Sequence, residues 1–175
     1  MDPVGDPPQR NTGLTLNFNA TARSLADSYW PAFGALLSSS APAPADGVMM
    51  AMAALNGVST TVSPLLLQTM LREAWNSTAI VQTDCCDSVT WTYAYERHRN
   101  ASFTQTDAIA RFIAMGGGAY FGFDGNTYKP LVEAALANGT ISSQSMVEVG
   151  TRVLETEMKL GFYDQVSYVH ILSTS

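Results

Sequence analysis

Asp84 stands directly after the apolar run Ile80-Val81-Gln82-Thr83. A carboxylate at the end of a buried strand is rigidly held, partly desolvated and turned toward a pocket. A glycosidase nucleophile or a metal ligand needs that setting. Aspartate is also a favoured helix N-cap, and from the bare sequence Asp84 reads more readily as the cap of the helix that follows. Asp87 either completes a carboxylate pair or caps a helix from Ser88. The two cysteines, Cys85 and Cys86, are neighbours in sequence. Their Cα atoms stand ~3.8 Å apart, short of the about 4.4–6.8 Å that a disulfide usually spans. They give no disulfide framework and no metal-type spacing. No local motif ties either histidine to Cys85, so that residue reads as a buried, inert thiol. His98 lies between Arg97 and Arg99 and reads as part of a solvated charge cluster, while His170 lies near the tail. Gly116-Gly117-Gly118 lacks the Lys-Ser/Thr sequel of a phosphate loop and reads as a tight passage from strand to loop. No metal and no cofactor is expected.

These residues need elements to hold them. Ala22 to Tyr29 reads as a helix, and Pro31 opens a second one over Ala32 to Leu37. Ser38 to Ala45 is a low-complexity loop. Gly47 to Ala54 is a continuous apolar run of strand length, as expected of a parallel strand buried on both faces. Asn56-Gly57 is a turn signal. Ser63-Pro64 opens a helix to about Trp75, with Leu66, Leu67, Met70, Leu71 and Ala74 at helical spacing. Ala79 to Thr83 is a second buried strand. Ser88 to Arg97 and Thr106 to Met115 are helical, Ala119 to Phe123 is a third short strand, and Tyr128 to Ala137 is helical up to Asn138-Gly139. Ser143 to Leu160 is the longest helix; Met146, Val149, Val153, Leu154, Met158 and Leu160 are placed mostly on one side, with Gly161 at its end. Alternating strands and helices predict an α/β fold with a parallel sheet. Chemistry in such folds gathers at the carboxyl ends of the strands. The segments expected are an extended polar stretch over 1–21, a domain portion over 22–165 and a tail over 166–175.

The chain has 175 residues, 46% of them hydrophobic, enough for a sizeable core. Its net charge of -6 argues against nucleic acid and anionic membrane surfaces as partners. Residues 1–8 contain no apolar segment of the signal-peptide kind. The longest apolar run, Val48 to Leu55, falls far short of the ~18 residues of a membrane span. Four Asn-x-Ser/Thr sequons, at Asn19, Asn76, Asn100 and Asn138, point to a secreted, glycosylated ancestry.

Three ordered segments resemble glycoside hydrolase family 3, in particular its fungal and plant β-xylosidase branch. Val48-Met49-Met50-Ala51-Met52-Ala53-Ala54-Leu55-Asn56-Gly57-Val58, followed by Leu66-Leu67-Gln68-Thr69-Met70-Leu71-Arg72-Glu73-Ala74-Trp75, is similar to that family's VMCSYNAVNGVP and LLQxxLRDxW stretches. Ile80-Val81-Gln82-Thr83-Asp84-Cys85 is similar to YVVSDC. Leu131 through Leu136-Ala137-Asn138-Gly139 to Leu160-Gly161-Phe162-Tyr163-Asp164 is similar to the segment that ends the family's first domain. Leu16-Asn17-Phe18-Asn19-Ala20 and Asp27-Ser28-Tyr29-Trp30-Pro31-Ala32-Phe33 fit the same branch.

The resemblance implies a retaining, exo-acting β-glycosidase acting on β-linked xylo- or gluco-oligosaccharides, most like a β-xylosidase. It implies a secreted protein. It places the catalytic nucleophile on Asp84 and substrate-contacting positions on Met52 and Cys85. The fold implied is a partial (β/α)8 barrel, from about the fifth or sixth strand to the exit helix, because a whole barrel takes about 250 residues. The family's acid/base carboxyl comes from a later, separate domain, and its sugar-holding Lys-His and Arg motifs belong upstream of residue 1. Several positions depart from the pattern. Ser-Tyr-Asn is Ala51-Met52-Ala53, and the two acidic residues of AGTDLDCG are Gly118 and Tyr120. Each lost hydrogen-bonding partner would weaken transition-state binding. A second expectation is therefore a catalytically inactive relative that binds carbohydrate or a partner.

Overall fold

Ile80, Val81 and Thr83 are β-branched, and alternate side chains along this run reach opposite faces of a sheet. In the computed structural model, which describes residues 16–84, 88–119 and 125–164, they form β5 (Ile80–Thr83). It is the middle strand of a three-stranded parallel sheet, between β2 (Gly47–Met50) and β6 (Gly117–Ala119). Val81 and Thr83 are both fully buried. Parallel neighbours need crossover connections. Here the first is the helical segment Leu65–Ala74, and the second comprises α3 (Ser88–Arg99) and α4 (Gln105–Ala114). α5 (Gly125–Ala137) and α6 (Ser143–Lys159) follow. The fold is thus mixed α/β with parallel pairing.

The expected eight-residue strand from Gly47 to Ala54 divides in two. β2 ends at Met50, and β3 (Ala54–Leu55) belongs to a second small sheet with β1 (Asn17–Phe18) and β4 (Val58–Ser59). Two bonds draw the chain out of the first sheet. The Thr60 hydroxyl donates to the Ala51 carbonyl at 2.6 Å, and the Thr60 N–H donates to that of Ala53 at 2.9 Å. Asn56 and Gly57, at φ 50° and 82°, close the tight β3–β4 hairpin, as left-handed residues do in such turns. Nor is β2 buried on both faces: Met49 is 54% exposed, and β5 is its single strand neighbour among the described residues.

The third strand also starts earlier than expected, at Gly117 rather than Ala119. A Cβ on Gly117 would stand 2.3 Å from the Phe112 ring, and one on Gly118 would stand 3.2 Å from Val149 and Val153. The glycines form the strand because helices α4 and α6 press directly upon it. Tyr120 to Phe123 lie outside the described residues.

The first two expected helices are one helical path. α1 (Ala22–Ser24) widens into a π turn over Leu25–Tyr29 and continues as α2 (Trp30–Leu37). The Trp30 N–H reaches back to the Leu25 carbonyl. Pro31, which has no N–H to lose, sits at the start of α2. Leu65–Ala74 is wound as a π helix throughout, with Leu67 and Leu71 buried. α4 opens on a capping box. Thr104 accepts from the Asp107 N–H at 3.1 Å, and the Asp107 carboxylate accepts from the Thr104 N–H at 2.8 Å. The core joins Leu67, Leu71, Val81, Val89, Phe112 and Val149. α6 is less buried than its sequence promised. Val149 faces the core, whereas Leu154, Met158 and Leu160 are exposed.

Candidate functional site

The carboxyl ends of β2 and β5 lie side by side. Met50 on β2 pairs with Thr83 on β5, so Ala51 and Asp84 leave the sheet side by side. The Asp84 N–H donates to the Met50 carbonyl at 3.2 Å, which holds the aspartate backbone to the end of the ladder. Asp84 is half-buried, and Thr83 beneath it is fully buried. Ala119 at the end of β6 pairs with Gln82 and completes this edge. Asp84 is thereby held through its backbone at the end of the central strand.

Met52 follows two residues after β2 and packs against Ala54, Trp91 and Tyr95. The two aromatic rings, both on α3, stack with centroids 4.9 Å apart and planes 12° from parallel. Arg99 lies over the Tyr95 ring at 5.6 Å and also donates to the Gly57 carbonyl, clamping the end of α3 to the hairpin. Beside this stack, the buried hydroxyls of Ser59 and Thr92 share a hydrogen bond of 2.6 Å. The loop holding Met52 is therefore wedged between the hairpin and α3. Sequence reasoning missed the Trp91–Tyr95 wall; its one signal was the i, i+4 aromatic spacing in Trp91-Thr92-Tyr93-Ala94-Tyr95, which makes helix neighbours.

Cys85, Cys86 and Asp87 lie outside the described residues, as do Tyr120 and His170. His98 is exposed in the last turn of α3. At ~1.5 Å rise per residue it stands roughly 15 Å along the helix from Ser88. No group of three His, Cys, Asp or Glu side chains among the described residues is placed to hold a metal ion. No helix among them is long and apolar enough to cross a membrane. All four sequon asparagines are exposed. At Asn100 and Asn138 the side-chain oxygen accepts from the backbone N–H of Ser102 and Thr140, two residues on.

Comparison with known proteins gives a consistent picture. No protein-family model matches the chain. The probable exo-1,4-β-xylosidase of Aspergillus clavatus is 32% identical over 149 residues, which covers 82% of this chain and 18% of that protein. The probable exo-1,4-β-xylosidase of Aspergillus terreus is 27% identical over 147 residues, covering 81% and 18%. The chain thus spans about 18% of the length of the curated relatives it matches. Among solved structures, a GH3 exo-β-xylosidase in complex with a xylobiose aziridine probe superposes with a TM-score of 0.72 at 22% identity, over 87% of this chain and 19% of that one. The β-glucosidase from Listeria innocua gives 0.71 at 20% identity, over 90% and 20%. These structures share the fold of the segment. Ordered motifs, the sequence likeness to exo-1,4-β-xylosidases and the common fold together place this chain in glycoside hydrolase family 3, beside its β-xylosidases.

Proposed function

We propose that the chain is the nucleophile-bearing portion of a retaining, exo-acting β-glycosidase of the β-xylosidase type, built on the later strands and helices of a (β/α)8-like barrel. The observation that carries this reading is Asp84, set at the carboxyl end of the central parallel strand in the position that the family motif gives its nucleophile. In this chemistry the Asp84 carboxylate attacks the anomeric carbon of a β-linked xylosyl or glucosyl unit. The bond to the leaving oxygen breaks, an acid carboxyl protonates that oxygen, and water then hydrolyses the glycosyl-enzyme. The acid/base group is assigned to a separate domain of the family and not to any residue named here.

A glycosyl fluoride separates the two roles, because fluoride departs without a general acid. Incubation with 2-deoxy-2-fluoro-xylosyl fluoride is expected to label Asp84 covalently, as read by intact mass and peptide mapping. The label is expected to vanish in Asp84→Asn. An unlabelled wild-type chain that is folded by circular dichroism would refute the assignment.

The replacements at Met52, Gly118 and Tyr120 favour a second reading, a sugar-binding relative that does not hydrolyse. Titration with xylobiose followed by NMR distinguishes the two, since binding without label supports the second. We also propose a secreted route for the protein, supported by the four exposed sequon asparagines. Expression in a secretory host is expected to give glycan masses that peptide-N-glycosidase removes; an unmodified secreted product would contradict it.

A further inference from the structure

The opposite end of the sheet carries a second polar site, independent of the glycosidase reading. Arg72, near the end of the Leu65–Ala74 segment, donates through Nη1 to the carbonyls of Ser77 and Ala79, both at 2.8 Å. Those bonds tie the helical segment to the start of β5. The remaining guanidinium atoms, Nε and Nη2, are buried and have no hydrogen-bond partner among the described residues. They border a cavity of about 160 Å³ whose polar walls are Gln68, Arg72, Gly116, Ser145, Glu148 and Arg152. Arg152 reaches it from α6. A Cβ on Gly116 would stand 3.5 Å from Arg152 Nη1 and 3.8 Å from Arg72 Nη2, so the two guanidiniums converge on one glycine. Burial, followed by the charge of Arg152, pushes the Arg72 pKa down to about 10. No carboxylate among the described residues lies within ion-pair distance of either arginine. Glu148 also faces the cavity, but its carboxylate accepts from Gln144 Nε2 at 3.1 Å. Two facing cations, one with two orphaned buried donors, carry a deficit that a small anion would relieve.

We propose that this cavity binds a small tetrahedral oxyanion, phosphate or sulfate, held between Arg72 and Arg152. Two guanidiniums from different elements match a divalent anion better than a single carboxylate. The site lies at the amino end of β5, five residues from Asp84, or roughly 17 Å at about 3.3 Å per strand residue. It therefore stands apart from the carbohydrate chemistry. Its effect is structural, joining the Leu65–Ala74 segment to α6 across the strand ends.

The test uses inorganic phosphate and the full 175-residue chain, at constant ionic strength balanced with chloride. Calorimetry is expected to show saturable one-to-one binding, and the thermal midpoint is expected to rise with the logarithm of phosphate concentration. Arg152→Gln is expected to bind about tenfold more weakly, the loss of one charge-assisted contact. Gln68→Glu, nearly isosteric, places a carboxylate in the cavity; it is expected to raise the midpoint without phosphate and to remove the phosphate response. Equal responses to chloride and phosphate would overturn the proposal. So would undiminished phosphate binding by a folded Arg152→Gln chain, or a phosphate response that survives Gln68→Glu.

Discussion

Gly117 and Phe112 occupy one space between them. The ring fills the volume that a side chain at 117 would take, and Phe112 is among the largest fully buried residues. Gly117→Ala is therefore expected to destabilise the chain by about 1–3 kcal/mol through overpacking. Urea denaturation measures the loss, and Phe112→Leu in the same chain should recover part of it, giving a non-additive double-mutant cycle. The glycine run was visible in the sequence, but its role was not, because the residue that fills the gap is on another element. Arg72 shows the same limit. By spacing it is one more cation in a helix; in the fold it is half-buried and faces Arg152. The sign of its shift follows from linkage. A folded pKa lowered to about 10, below the ordinary arginine value, means that the unfolded chain holds more protons in the window between the two. Stability gains from Arg72 only as pH rises through that window, and at neutral pH its charge is held against the fold. Asp84 was legible from its place after an apolar run, and the ladder bond to Met50 gives that place its rigidity.

Helix α4 was read to within a residue at each end, and its Thr104–Asp107 box accounts for a sharp start. Thr104→Ala is expected to cost about 1 kcal/mol, seen as a lower urea midpoint with an unchanged slope. Two segments were read as helices from the sequence, but their winding, which departs from 3.6 residues per turn, was not. Leu25–Tyr29 and Leu65–Ala74 are π-wound. Apolar spacing reports which residues face inward, and Leu67 and Leu71 do, but it does not report the ring size of each hydrogen bond. The split of Gly47 to Ala54 has a similar cause. The run is apolar throughout, and only Thr60, nine residues beyond Ala51, decides where it leaves the sheet.

Across the molecule, β2 is an edge of the parallel sheet among the described residues. β2 carries exposed Met49 beside an apolar cavity of about 300 Å³ that is also lined by Phe33, Leu66 and Trp75. Exposed apolar edge strands template strand-to-strand aggregation, and a lysine on such an edge blunts it. Met49→Lys is accordingly expected to delay turbidity on heating while leaving the unfolding midpoint within about 0.5 kcal/mol of its original stability, as a surface change does. Light scattering alongside circular dichroism separates the two readouts. Because they lie at opposite ends of β5, the Asp84 label and the phosphate response are expected to be independent. Arg152→Gln should leave fluoro-xylosyl labelling unchanged, and Asp84→Asn should leave phosphate binding unchanged.

Amino-acid order alone determined the alternation of strands and helices, the turn at Asn56-Gly57, the placement of Asp84 at a strand end and the likeness to β-xylosidases, because each rests on neighbours close in the chain or on an ordered motif. Tertiary structure alone decided that Gly117 and Gly118 are strand, that Met52 is wedged against Trp91 and Tyr95, that much of α6 faces solvent, and that Arg72 meets Arg152. Those outcomes depend on which distant side chains fill the same volume and on which buried charges share it, and neither is written in local spacing.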